Sequence, residues 1–251
     1  MGRPHIEFIR SQDVSEADAA APFTGARERR LSTDVDSGAF TSVVLLPTGW
    51  TGDLSGSERP FELFALRGQV TLGAELLIPG SYVYLESGLP EASVAAATES
   101  LLLAMGEEKR APGPTGTWEV VDSERMQYEL SSVIGLVIKK LRVDPETGDW
   151  TWLAASAPNR VTPRAEIHPT VEEAFLIRGD CLLGGRGEMT AGSYFWRPGM
   201  VRHGPIATRK GTFFFFRTKG GGLETTYEEV PGWEEDVRAY RAAEPYFHAE
   251  L

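Results

Sequence analysis

Glu166, His168 and Glu172 lie close together in EIHPTVE, and His203 follows a Pro-Gly turn in WRPGMVRH. Imidazole nitrogens and carboxylate oxygens in such proximity suit a divalent first-row metal, and two imidazoles plus one carboxylate on one face leave positions open for chemistry. If Ala165 to His168 is a strand, Glu166 and His168 point to the same face, because side chains alternate with a period of two. Glu172 then returns after the Pro169-Thr170-Val171 bend on a strand running to Arg178, and His203 comes back after Pro198-Gly199. His168 and His203 with a carboxylate from Glu172 or Glu166 are the candidate ligands. A surface histidine among acidic neighbours produces the same spacing, so the surrounding elements have to decide.

Those elements repeat. FALRGQVTLGAELLIPGSYVYL, from Phe64 to Leu85, matches FLIRGDCLLGGRGEMTAGSYFWR, from Phe175 to Arg197, with Gly68 against Gly179 and Gly80 against Gly192. Upstream, VDSGAFT at Val35 parallels VDPETGDWT at Val143, and IEFIRSQDV at Ile6 parallels WEVVDSERM at Trp118. Each copy spans about 110 residues of alternating apolar and polar positions broken by Gly and Pro, which predicts short antiparallel strands. The fold class is all-β, two tandem barrels or sandwiches, at 1–108 and 117–251. The polar, Pro/Gly-rich stretch Glu107 to Gly116 is the expected linker. PGWEEDVRAYRAAEPYF spaces Trp233, Val237 and Tyr240 at helical intervals and predicts a short C-terminal packing helix. Where the second copy has Glu166, His168, Glu172 and His203, the first has Ser55, Ser57, Phe61 and Glu91. Folding therefore does not require the polar set, and the first barrel is expected to be structural.

Composition limits the partners. With 251 residues, 41% of them hydrophobic, the chain can bury a full core. A net charge of -11 without a basic stripe excludes a phosphate-backbone footprint, so no nucleic acid is expected. No apolar run approaches the roughly 18 residues that span a bilayer, and no signal-peptide pattern opens the chain, so a cytoplasmic protein without a membrane partner is expected. The single Cys181 excludes an internal disulfide framework and reads as a buried, inert thiol. His5 and His248 lie near the termini, where surface histidines are the default. Trp150 with Trp152, Tyr194 with Trp196, and Phe213 with Phe215 form same-face pairs, as plain core or as the lining of an apolar substrate pocket. Glu173 should face away from Glu172, solvated or paired.

The histidine and glycine spacings resemble those of the cupin superfamily, and the duplication resembles its bicupin members. From the second histidine of the first cupin motif onward the match is His168, three residues, Glu172, six residues, Gly179; the second motif fits as Gly192, five residues, Pro198, then His203. The resemblance implies His168, Glu172 and His203 as the ligand set; Glu166, which replaces the first histidine, is then a fourth ligand, a proton acceptor or the mark of a weakened site, while Arg160 stands where a glycine is expected and Gly199 comes one place early. HPTVEE followed by a strand resembles the zinc-binding cupins of anti-sigma factors and the acetylacetone-cleaving dioxygenases. The resemblance implies two cupin (double-stranded β-helix, or jelly-roll) barrels and one divalent metal ion in the second, Fe(II) first, with Zn, Mn or Ni as alternatives. It implies a small-molecule substrate, an enolisable or aromatic carbonyl compound cleaved by a dioxygenase route, and a homodimer is compatible with it. A non-redox isomerase, cyclase or lyase and a non-catalytic zinc-binding module are the competing readings.

Overall fold

The computed structural model describes residues 2–111, 116–131, 133 and 135–244. Residues 112–115 of the expected linker, His248, and the expected helical stretch beyond residue 244 lie outside the described residues. The described residues are all-β apart from two short 3-10 turns and one α-helix, Trp233–Ala243. It divides into two compact units, one holding the residues up to Pro4 with Ser11–Met126, the other holding His5–Arg10 with the chain from Gln127 onward.

In the first unit a seven-stranded antiparallel sheet and a four-stranded sheet enclose one apolar core. The inward series Phe61, Leu63 and Ala65 on Phe61–Arg67, with Val83 and Leu85 on Ser81–Leu85, fills that interior with hydrocarbon. Alternation places these residues on one face, and their burial is what stabilises the sandwich.

The second unit is built on the same plan. Its main sheet runs, neighbour to neighbour, through Ile6–Arg10, Ser193–Arg197, Val171–Leu183, Thr212–Lys219, Trp150–Ser156, Leu136–Val143 and Glu129–Leu130. The long Val171–Leu183 strand then leaves that sheet and pairs with Gly187–Thr190 and Ile206–Ala207. The change of partner falls at a register shift between Leu176 and Arg178, just ahead of Gly179, whose φ is +94°. A Cβ there would lie 1.9 Å from the Gly211 carbonyl oxygen, so only glycine fits the bend. Gly68, its repeat partner, has φ +85° and the same close approach, to the Glu99 carbonyl.

The two strands that the repeat aligns at Ile6 and Trp118 serve the opposite halves. Ile6–Arg10 pairs with Ser193–Arg197 in the second unit, and Trp118–Asp122 pairs with Ser81–Leu85 in the first. The units therefore differ from the 1–108 and 117–251 division at these two strands. Hydrophobic pattern identifies a strand but carries no information about which sheet edge it closes. One upstream alignment also moves by two residues. Asp34 and Asp144, not Val35 and Val143, occupy equivalent places, each accepting two backbone N–H groups through Oδ1 and capping a hairpin closed by Gly38 or Gly148.

Among the described residues no helix is long and apolar enough to cross a membrane. The C-terminal helix buries Trp233, Val237 and Tyr240 against Ala207 and its surroundings in the second unit, as the spacing predicts. Arg209 stacks on Tyr240 and binds Asp180, tying the helix to the sheet.

Candidate metal centre

Three pieces of backbone bring the candidate ligands together. Arg164–Ile167 pairs with Thr226–Glu229, and Glu166 also bridges His203: each backbone N–H donates to the other's carbonyl, at 2.8 and 3.0 Å. The carbonyl of His168 accepts from the Met200 N–H at 2.6 Å, which ties the bend after His168 to the Pro198-Gly199 turn. Gly199 makes that approach feasible, since a Cβ there would stand 2.2 Å from the Pro169 carbonyl oxygen.

The two imidazoles are oriented from behind. His203 Nδ1 lies 3.1 Å from the Val201 carbonyl, and His168 Nδ1 lies 3.0 Å from the Glu224 carbonyl and 3.2 Å from Thr225 Oγ1. A backbone carbonyl only accepts, so both Nδ1 atoms carry the proton and both Nε2 atoms keep a lone pair. Nε2 of His168 is buried and has no hydrogen-bond partner among the described residues. The rings are 4.9 Å apart with planes at 50°. Glu166, His168 and His203 each offer a ligand atom, all within 4.8 Å of one another, a span that small side-chain rotations close onto one ion. A backbone-anchored imidazole with an unpartnered inner nitrogen is the usual preparation for metal ligation, so the residues present fit a divalent metal.

Glu172 is brought to the same cluster, with a second partner that spacing did not indicate. It is buried, its Oε2 lies 3.4 Å from His203 Nε2, and Arg197 Nη1 donates to that same oxygen at 3.2 Å. Burial opposes ionisation of Glu172, but His203, Arg197 and His168 together hold its carboxyl below the usual range. Burial and the adjacent Glu172 charge push the Glu166 carboxyl up. His203 is pushed down by burial, partly offset by Glu172.

A cavity of about 80 Å³ opens on this cluster. At roughly 10–15 Å³ of such volume per water, it has room for a small planar molecule rather than a single solvent. Glu166, Glu172 and His203 line it on one side; Trp152, Phe195, Phe214, Phe216 and Met189 supply an apolar wall. Trp152 and Phe216 stack at 4.4 Å with planes 11° apart.

Of the six aromatics expected at a pocket, Trp152 lines it, and Trp150, on the same face, is half-buried outside the lining. Tyr194, Trp196, Phe213 and Phe215 sit on the opposite face. The ladder gives the reason: Glu172 pairs with Arg197 and Ala174 pairs with both Phe195 and Phe216, and paired residues share a face. The cavity therefore takes Phe195, Phe214 and Phe216, each one residue from the expected choice. Glu173, on the other face, is buried and paired, receiving Tyr194 Oη at 2.5 Å and Arg217 Nη1 at 2.9 Å. Burial pushes the Cys181 thiol up to about 12, in keeping with an inert sulfur.

Spacing gave no role to Arg197, Arg160 or Thr225. Arg160 lines the cavity from the position where the cupin motif has glycine, a departure that could have marked it. In the first unit, Phe61 and Leu85 replace Glu172 and Arg197, and both belong to its apolar core.

The fold is that of two tandem cupin (jelly-roll) barrels, with a His/Glu cluster in the second. Residues 117–221 match the family described as the ChrR cupin-like domain. Among solved structures, a proposed dioxygenase from Nostoc punctiforme PCC 73102 is similar over 91% of both chains at 22% identity, with a TM-score of 0.77. A proposed glyoxylate-induced protein from Pseudomonas aeruginosa is similar over 89% of this chain and 88% of its own, at 15% identity and a TM-score of 0.65. A point mutant of Bacillus subtilis oxalate decarboxylase is similar over 97% of this chain and 86% of its own, at 12% identity and a TM-score of 0.61. No curated protein matches the sequence.

Proposed function

We propose that the protein is a metal-dependent oxidoreductase of dioxygenase type, acting on a small enolisable or aromatic carbonyl compound. The carrying observation is the pair of imidazoles fixed through Nδ1, with a carboxylate beside them, at the edge of an aromatic cavity. Glu166, His168 and His203 would hold the ion, with Glu172 next to them. When bound, Fe(II) would supply open coordination positions and redox reactivity toward dioxygen; Mn(II), Zn(II) or Ni(II) are the alternatives. The stacked Trp152–Phe216 pair offers a flat apolar surface on which a planar substrate can be held, and the surrounding hydrocarbon excludes water. We place the protein in the cytoplasm.

The resemblance of HPTVEE to the zinc-binding cupins of anti-sigma factors, alongside the match to the ChrR cupin-like domain, supports a second reading, a zinc-binding module without catalysis. A non-redox lyase or isomerase would use the same residues. Oxygen consumption by iron-loaded protein, measured with a panel of β-diketones and hydroxylated aryl ketones, tests the proposal. Substrate-dependent uptake, absent from zinc-loaded protein, is expected. Metal-loaded protein that turns over such ketones without oxygen, or leaves all of them unchanged, would move the assignment to one of the other two readings.

A further inference from the structure

Two carboxylates flank the imidazole pair, and they are held differently. Glu166 Oε2 lies 3.7 Å from His168 Nε2, and Glu166 shares a backbone bridge with His203. Glu172 Oε2 lies 3.4 Å from His203 Nε2 but is gripped by Arg197 Nη1 at 3.2 Å. The Arg197 guanidinium is buried and stacks on the Phe195 ring at 3.6 Å. Its other terminal nitrogen faces Glu7 Oε1 on the Ile6–Arg10 strand at 3.6 Å, while Nε and Nη2 make no hydrogen bond among the described residues. Glu172 is therefore the hydrogen-bond acceptor of this buried cation, and the oxygen that faces His203 is the one the cation binds. A carboxylate oxygen donating electron density to a metal while neutralising a buried guanidinium serves two cations at once, and the guanidinium weakens it as a ligand.

From this geometry we infer that Arg197 is a positioning residue that selects the anionic ligand. It retains Glu172 as its counter-ion, so that Glu166 completes the site with His168 and His203; without Arg197, Glu172 is free to take that place. The inference rests on the metal-binding reading above and deepens it. Position 197 then sets which carboxylate is spent on the metal and which stays along the cavity wall.

Competition titration of the full-length protein with Co(II) or Zn(II) against a chromophoric chelator tests this, with folding of each variant checked by circular dichroism. E166Q should lose more than about a hundredfold in affinity, beyond the range usual for groups that only support a ligand, whereas E172Q should lose about tenfold or less. E166Q/R197M should recover at least about tenfold over E166Q, because the freed Glu172 substitutes. The d–d absorption of the Co(II) form should be nearly unchanged in E172Q and altered in E166Q/R197M, a change that a merely structural effect would not produce. E172Q losing as much affinity as E166Q overturns the inference, as does a folded double variant that binds no better than E166Q. If R197M does not fold, the E166Q and E172Q comparison alone decides. A wild-type chain that binds neither ion refutes the metal reading itself, a separate result.

Discussion

Glu172 and Glu173 are adjacent, buried and committed to different faces of one strand, and their substitutions should separate accordingly. Glu173→Ala removes a buried carboxylate to which both Arg217 and Tyr194 donate and should destabilise the protein by about 3–5 kcal/mol in chemical denaturation, the usual result of breaking a buried ion pair. The folded fraction should still bind metal as wild type does. Acid should weaken the metal-free protein through two groups of the same sign. Burial lowers the His203 value, so its folded-state preference for the neutral ring helps above its unfolded value of 6.5 and is lost as pH falls below it. The depressed Glu172 carboxyl adds a contribution present above its unfolded value of 4.5 and lost as pH falls through the folded one. Glu166, raised by burial, works the other way and gains as pH falls. Melting temperatures of the metal-free protein should thus drop between pH 7 and 5, and His203→Gln should flatten that part of the profile; a profile with an unchanged slope in the variant would contradict the assignment.

At the scale of elements, turns decide where the ligands stand. Gly199→Ala places a methyl 2.2 Å from the Pro169 oxygen, and the backbone around His168 must move. Its expected cost is roughly 1–3 kcal/mol, typical of overpacking, together with at least about a tenfold loss of metal affinity; wild-type affinity would show that the turn does not position His168. The turn was legible in the sequence as Pro198-Gly199, and so were the duplicated glycines, the helix at Trp233 and the four polar residues of the site. Period-two alternation locates candidate faces on each strand separately, which is why Trp150 and Trp152 fall on one face as expected. It does not relate one strand's face to the next. That relation is the register between Val171–Leu183 and its two neighbours, and missing it displaced the aromatic wall by one residue on both. Arg197 was hidden for the same reason, since only the ladder sets it opposite Glu172.

At the scale of the molecule, the two repeats exchange their leading strands, so neither half of the sequence contains a complete barrel. A fragment beginning at Gln127 lacks Ile6–Arg10, leaves the Ser193–Arg197 edge unpaired and loses Glu7 beside Arg197. It should aggregate or fail to unfold cooperatively, as an open apolar edge predicts, and a fragment with the strand restored through a flexible linker should recover. Cooperative melting of the bare fragment would show the exchanged strand to be dispensable. The first unit fills with Phe61 and Leu85 the places where the second has Glu172 and Arg197, so one fold carries an apolar core in one copy and a polar cluster in the other. The central claim is that this cluster holds a single divalent cation, and elemental analysis of protein purified without chelators under anaerobic conditions tests it most directly. One equivalent of a divalent metal per wild-type chain, lost in folded His168→Ala and His203→Ala, is the predicted result. A wild-type protein free of metal and refractory to reconstitution, or variants that load as fully as wild type, would contradict it.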